Sequence, residues 1–498
     1  MKNIKNRIAV SFFANIFRGG STLFIGILLA RFLGSEDYGQ LIFLVSTSMA
    51  IKQLLDLGLS SAFFTFLSQE DRSVKFIAQF FTFFFGKYIL CIFIIYLLLP
   101  SDWIAKIWLG NTQITIVIAL ATVALQSDFW PIASQLLESQ RKTIVAQLLY
   151  VVIQSLHFCI IFGLHYFGFL NVVNYLLCIG LLWCFAGGVA LFSYKPVAYA
   201  RRNFNSNITI KNYINYCLPL APVILISFTG EFLDRWMLQQ WGGSSQQAYF
   251  AISSQIASMS LLFTASFIKI FWKEIAEACQ KNNFKLAISL YIGGRKSLFY
   301  CSAFIAAISI SWASEILSFL YGTEYTPATV PLILLMLYSI QQCLGQIDSA
   351  FLMASSKTSI GLGAHILLAP MGIFIAFVMM SKSTILGFNL GATGLGIKLL
   401  TTQFISVTVM GMLIQKNFNI RFTYLDQLQI LLVLFFLGMI IKKLLLLILF
   451  PSQYLFAIGF SIYFLSVLLL AFIVPKLFAL PSDWLRRLKS HFLVNFPA

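Results

Sequence analysis

The sequence predicts an all-α polytopic membrane protein, with about fourteen transmembrane helices in two six-helix lobes plus two C-terminal helices. Three observations predict it. Hydrophobic residues make up 59% of the 498 positions and charged residues 10%, where a soluble globular chain is about 45–50% apolar and about 25% charged. Apolar runs of the roughly 20 residues that span a bilayer recur along the whole chain. Lys and Arg collect in alternate joints between these runs, as the positive-inside bias requires.

The first run begins near Ile8, carries Arg18 inside it and closes at Arg31. It is too long for the apolar core of a cleavable signal peptide, and no small-residue cleavage site follows it. Gly34 and Gly39 allow a tight turn into the second run, which begins near Gly39. The third begins near Phe76. The fourth begins near Thr112 and leaves through QLLESQRKT (135–143). The fifth and sixth begin near Ile144 and Val172, and KPVAYARRNFNSNITIKN (195–212) then makes one of the two longest hydrophilic joints. The seventh begins near Tyr213 and closes on FLDRWM, with Arg235 at its end. The eighth begins near Ala248, and the second long joint, 272–296, leads to the ninth near Ser297. The tenth begins near Ala328 and exits through AFLMASSKT (350–358). The remaining four begin near Ser359, Gly391, Leu428 and Tyr454.

This order divides the chain into an N-terminal lobe (1–194), a linker (195–212), a C-terminal lobe (213–415), a final helix pair (428–475) and a tail (476–498). The tail segment PSDWLRRLKSHFL reads either as a short interfacial amphipathic helix or as a plain cytoplasmic tail. One set of joints holds residues such as Lys2, Arg7, Lys142, Arg201, Lys285 and Arg486, and the other holds only Arg31, Lys106 and Lys382. The charge bias and the even number of spans place both termini in the cytoplasm. They also account for most of the net charge of +17, so no nucleic-acid partner is expected.

The halves show faint self-similarity. Arg31 closes the first run as Arg235 closes the seventh, and Tyr38-Gly39 opens the second as Tyr249-Phe250 opens the eighth. At the exits of the fourth and tenth, Leu137, Lys142 and Thr143 match Leu352, Lys357 and Thr358. Two six-span repeats of the same orientation, related by an axis along the membrane normal, would produce this pattern.

Ionisable side chains inside apolar runs are costly and therefore point to function or to pairing. The candidates are Arg18, Lys52, Lys87, Arg235, Lys269, Lys398, Asp56, Asp128, Glu231, Asp234 and Asp348. Lys442 and Lys443 lie near the outer end of a run, where they can snorkel. Helical spacing sorts the rest into polar stripes: Ser11, Asn15, Arg18 and Thr22; Ser48, Lys52 and Asp56; Ser227, Glu231, Asp234 and Arg235; Lys398, Thr402 and Ser406. Such stripes face other helices or water, and their presence in both halves points to one shared aqueous cavity. Lys52–Asp56 and Glu231–Arg235 could instead neutralise each other as i,i+4 pairs. Arg18 has no acid at i,i+3 or i,i+4 on its own helix.

Eight cysteines and four histidines are scattered without metal-ligand spacing, so neither a metal nor a cofactor is expected. No Gly-rich nucleotide loop appears, which removes ATP as a direct driver. No outer loop is long enough for a catalytic apparatus, and no catalytic residue is assigned.

The run ARFLGSEDYGQLIFL, followed by LLDLGLSSAFF (54–64), resembles the opening of Wzx-type polysaccharide or O-antigen flippases, and LLESQRKT and FLMASSKT resemble that family's span exits. These flippases belong to the multidrug/oligosaccharidyl-lipid/polysaccharide exporter superfamily. The resemblance implies a flippase of the inner membrane that moves a polyprenyl-diphosphate-linked oligosaccharide from the inner to the outer leaflet by alternating access. It also implies a monomer working with membrane lipids and with the polymerase and chain-length proteins of the same pathway. Arg18, Lys52, Lys269, Lys398 and Arg235 would bind the diphosphate through charge-assisted hydrogen bonds, with Asn15 lining the route of the sugar. Asp234, Glu231 and Asp56 would couple transport to protons or membrane potential. Some relatives bind sodium among the seventh, eleventh and twelfth spans, but the eleventh run here has no Asp or Glu. The alternatives are a small-molecule or drug antiporter of the same superfamily and a membrane polysaccharide polymerase.

Overall fold

The computed structural model describes residues 2–69, 74–140, 142–194, 210–355, 357–382, 386–420, 424–447 and 452–474, and their regular structure is entirely helical. A bilayer core offers no water to backbone polar groups, so a chain this apolar closes its hydrogen bonds within helices. In chain order these are α1 (Lys2–Asp56), α2 (Leu59–Gln69), α3 (Val74–Phe93), α4 (Ser101–Trp108), α5 (Gln113–Ala124), α6 (Trp130–Ser139), α7 (Thr143–Tyr166), α8 (Val172–Ser193) and α9 (Ile210–Cys217). There follow α10 (Ala221–Gly242), α11 (Ser244–Gln280), α12 (Phe284–Ser311), α13 (Ala313–Leu320), α14 (Thr329–Ala354), α15 (Thr358–Met380), α16 (Gly391–Phe418), α17 (Tyr424–Leu447) and α18 (Ser452–Ile473). Among the described residues, eight helical segments are long and apolar enough to cross a membrane, or nine if α12 and α13, bent by 76°, form one span. This is the all-α polytopic architecture that the composition predicts. The helix α10 falls outside that count because Glu231, Asp234 and Arg235 lie within it.

The chain forms two compact units, Met1–Ala251 with Ile373–Ala392, and Ile252–Gly372 with Thr393–Ala498. In the first, Gly34 (φ 76°, ψ 174°) breaks α1 into arms 2–33 and 35–56, one for each of the first two predicted spans. That backbone conformation is open essentially to glycine alone. Gly39 serves close approach rather than a turn: a Cβ there would overlap the carbonyl of Ser244 at the start of α11.

Helix α8 packs by size rather than by polarity. Its Gly180 and Gly187 face Thr122 and the ring of Phe129, while Leu181, Phe185 and Phe192 point outward. Small residues at the interface let helices approach where the surrounding lipid is as apolar as the side chains. Thr122 donates its hydroxyl to the Leu176 carbonyl at 2.9 Å and pins this contact. Phe129 reaches Gly187 from a π turn, Leu125–Phe129, between α5 and α6. Pro131 explains the turn. It has no N–H for the carbonyl four residues back, so the ladder widens and Trp130 donates to the Leu125 carbonyl instead.

In the second unit α12 packs against α14 and α17. Tyr291 stacks on Phe351 at 4.3 Å within a core that includes Ile275, Ile347 and Ile414. Gly438 and Gly459 admit Ser311 and Trp312, where α12 ends and the chain bends into α13. Lys442 does not snorkel. It pairs with Glu315 at 2.7 Å and donates to the Ser311 carbonyl at 3.0 Å.

The polar segment 272–296 is almost wholly helical rather than an open joint. The break is confined to 281–283, where Asn282 takes a left-handed conformation (φ 56°) and the Asn283 side chain caps α12 by accepting from the Leu286 N–H. Most of its charges lie on exposed helix surface. Lys281 donates to Glu277 at 2.7 Å, and this bond holds the Glu277 carboxyl below and the Lys281 ammonium above their ordinary values. Arg295 is the exception, being buried.

Candidate functional site

Most of the sequence-predicted site residues that the structure describes lie in the first unit, on α1 and α10. The second arm of α1 presents Lys52 and Asp56 one helical turn apart. They do not pair with each other. Lys52 Nζ lies 3.2 Å from Asp128 Oδ1, on the π turn that Pro131 creates. Asp56 accepts from the Ser60 hydroxyl at 2.5 Å and from the Ser60 N–H at 3.1 Å, and faces Lys87 Nζ at 3.7 Å. Lys87 lies 3.7 Å from Asp128 Oδ2, which also accepts from the Tyr88 hydroxyl at 2.7 Å. Two lysines, two aspartates and a tyrosine from α1, α3 and the π turn thus form one cluster. In a low-dielectric setting such a group holds together because an unpaired member would be costly.

Asp128 and Lys87 are among the charged candidates of the sequence but carry no assigned role there, and Tyr88 is not among them. Pro131 in an apolar run is the sequence signal of the distorted turn, and Asp128 lies on that turn.

Arg18 lies on the first arm of α1 and is exposed. Among the described residues no carboxylate lies within ion-pair distance of it, and its guanidinium sits 4.3 Å over the Tyr150 ring. The guanidinium also hydrogen-bonds the Tyr150 hydroxyl, and a cation held on an aromatic face gains modest attraction from the ring. The side chains of Asn15 and Lys269 lie outside the described residues.

On α10, Glu231 and Arg235 also take other partners than each other. Gln53 of α1 donates to Glu231 at 3.2 Å. Arg235 donates to Gln247 Oε1 at 3.3 Å, Gln247 Nε2 returns a bond to the Arg235 carbonyl at 2.6 Å, and the guanidinium lies 4.7 Å over the Phe250 ring. These contacts tie α10 to the start of α11 across Gly243. Asp234 is half-buried between Glu231 and Arg235 in sequence. Lys398 lies in the second unit, buried on α16, with Gly372 of α15 leaving room for its stem.

The second unit holds its own buried ion group. Arg295 Nε donates to Asp348 Oδ1 at 3.1 Å, and the Tyr291 hydroxyl donates to the same oxygen at 2.6 Å. Among the described residues no three His, Cys, Asp or Glu side chains converge as metal ligands would.

No protein-family model matches the sequence, and no curated protein does. Solved structures do match. The lipid II flippase MurJ, in an inward closed conformation, aligns over 95% of this chain and 99% of its own, with a TM-score of 0.68 and 16% identity. A multidrug resistance MATE family transporter of the MOP superfamily, inward-facing, aligns over 80% of this chain and 94% of its own, with a TM-score of 0.58 and 15% identity. An outward-facing MATE transporter aligns over 83% and 95%, with a TM-score of 0.52 and 14% identity. The chain has the MurJ and MATE transporter fold. All three neighbours are transporters or flippases rather than enzymes. Within this fold, the charged groups of the first unit include the cluster around Asp128, the stacked Arg18, and Glu231, Asp234 and Arg235 on α10.

Proposed function

We propose that the protein is a flippase that carries a polyprenyl-diphosphate-linked oligosaccharide repeat unit from the inner to the outer leaflet of the cytoplasmic membrane by alternating access. The observation that carries this reading is the end-to-end likeness to a lipid II flippase, which leaves almost none of either chain unmatched. The two MATE likenesses reach only 80% and 83% of this chain. Arg18 supports the same reading: an exposed guanidinium on a tyrosine face suits a diphosphate, which offers oxygens for bidentate contact. Lys52 would add a second cation, and Asn15, Lys269, Arg235 and Lys398 complete the proposed substrate route. Asp56, Glu231 and Asp234 are proposed to couple transport to protons or membrane potential. The glycan is proposed to be an O-antigen or related repeat unit, delivered to the polymerase of the same pathway.

The test is the fate of the lipid-linked precursor. In a deletion strain it should still form and stay on the cytoplasmic leaflet. Accumulation of unlinked sugar nucleotides, or export of single repeat units, would overturn the reading in favour of a synthase or polymerase. The second reading, a small-molecule antiporter, is favoured by the MATE likeness and predicts drug sensitivity of the deletion strain with normal precursor export.

A further inference from the structure

The members of the Asp128 cluster are not equivalent. Lys52 is the most accessible, with its side chain 23% exposed against 15% for Asp56, 9% for Lys87 and 2% for Asp128. Among the described residues its ammonium meets a single carboxylate, Asp128. Asp56, its neighbour one turn on, is already engaged by Ser60 and Lys87. Asp128, by contrast, has three partners: Lys52, Lys87 and the Tyr88 hydroxyl. If Lys52 leaves, Asp128 remains paired by Lys87 and hydrogen-bonded by Tyr88. Breaking a buried pair is expensive when it strands a charge, and here it strands none. Lys52 is therefore the member that can depart, and it is also the member that an incoming group can reach.

We infer that Asp128 is an internal anion that occupies Lys52 until a diphosphate displaces it, with Tyr88 and Lys87 keeping Asp128 paired after the exchange. The inference rests on the polyprenyl-diphosphate reading above and adds to it a residue that sets ligand choice and release. A lysine ammonium is a point charge with rotatable donors, so it can turn from one anion to another without the geometric loss an arginine fork would incur. Displacement favours a ligand carrying more charge than the carboxylate it replaces. A diphosphate gains from the exchange, whereas a monophosphate gains less. After release, Asp128 recaptures Lys52, which shortens the residence of the ligand.

The experiment uses the full chain in lipid nanodiscs, titrated with farnesyl diphosphate and farnesyl monophosphate. Asp128→Asn should bind the diphosphate about tenfold more tightly, release it more slowly, and discriminate less between the two probes. Lys52→Ala should weaken diphosphate binding, and adding Asp128→Asn to it should change little further. Tyr88→Phe loosens the grip on Asp128 from the other side and should move affinity the opposite way, towards weaker binding. This second variant keeps the idea open to refutation even where Asp128→Asn fails to fold. Loss of affinity in Asp128→Asn comparable to that in Lys52→Ala would make Asp128 a positioning residue and overturn the inference alone. So would unchanged affinity and discrimination in Asp128→Asn when the unaltered protein binds, or tighter binding in Tyr88→Phe. Failure of the unaltered protein to prefer either prenyl phosphate over farnesol would overturn the diphosphate reading itself, and the inference with it.

Discussion

Gly34 and Gly243 share one backbone conformation, φ 76° and ψ 174° in the first, φ 83° and ψ 179° in the second. Each sits where one long helix breaks and the next begins with a serine, Ser35 or Ser244. Setting the two glycines equivalent places Gly39 opposite Ala248 and Tyr38 opposite Gln247. This register differs by two residues from the one drawn by matching Tyr38-Gly39 to Tyr249-Phe250.

The shared conformation is closed to residues with a Cβ, at a cost of order 1–3 kcal/mol. Gly34→Ala and Gly243→Ala should each lower the thermal unfolding midpoint of the purified protein. Gly20→Ala, in open space within α1, should not. Equal midpoints for all three would show that neither break depends on its glycine.

Arg18 has no acid partner among the described residues, so charge and fork geometry should both matter. Arg18→Ala should abolish export with near-normal abundance in the membrane. Arg18→Lys should keep part of the activity, and Arg18→Glu should be worse than Ala because it repels a phosphate. Tyr150→Leu should reduce export by loosening the guanidinium. Full export by Arg18→Ala at normal abundance would remove Arg18 from the site.

The ion group of the second unit should be structural. Arg295 and Asp348 are buried and bonded to each other and to Tyr291. Asp348→Leu or Arg295→Met alone breaks this buried pair and should cost about 3–5 kcal/mol, read as lower abundance and a lower unfolding midpoint. The double substitution should recover most of both. A double variant as unstable as the worse single one would show that the pair does more than cancel.

Reporter fusions at Ser206 and Asn283 should report the cytoplasm, and fusions at Asn111 and Ser244 the outer side. If Ser206 and Ser244 report the same compartment, α10 does not span and the proposed repeat fails with it.

The fold class was legible in the sequence because hydropathy is local: a run of apolar residues declares a helix without reference to anything distant. The break at Gly34 was legible for the same reason. Pairing was not. Lys52 and Asp56 satisfy every rule for an i,i+4 pair, yet Lys52 turns to Asp128, which only the packing of α1 against the π turn brings near. Arg235 likewise turned to Gln247 rather than to Glu231. The segment 272–296 misled in another way. Its lysines resemble a loop, but solvated charges on a helix surface look the same in composition, and only Asn282 and Asn283 mark the true turn. Buried Arg295 had no local sign at all, since its partner lies 53 residues away.

The packing of α8 has a bearing on how variants of this protein are judged. Leucine at position 187 would make the helix more apolar, and every transfer scale would score the change as favourable for insertion. It would also drive a side chain into Phe129, push the π turn aside and disturb Asp128, the residue next to it. Harm in this protein can therefore come from a substitution that improves membrane solubility, and a screen that ranks changes by hydropathy would pass it.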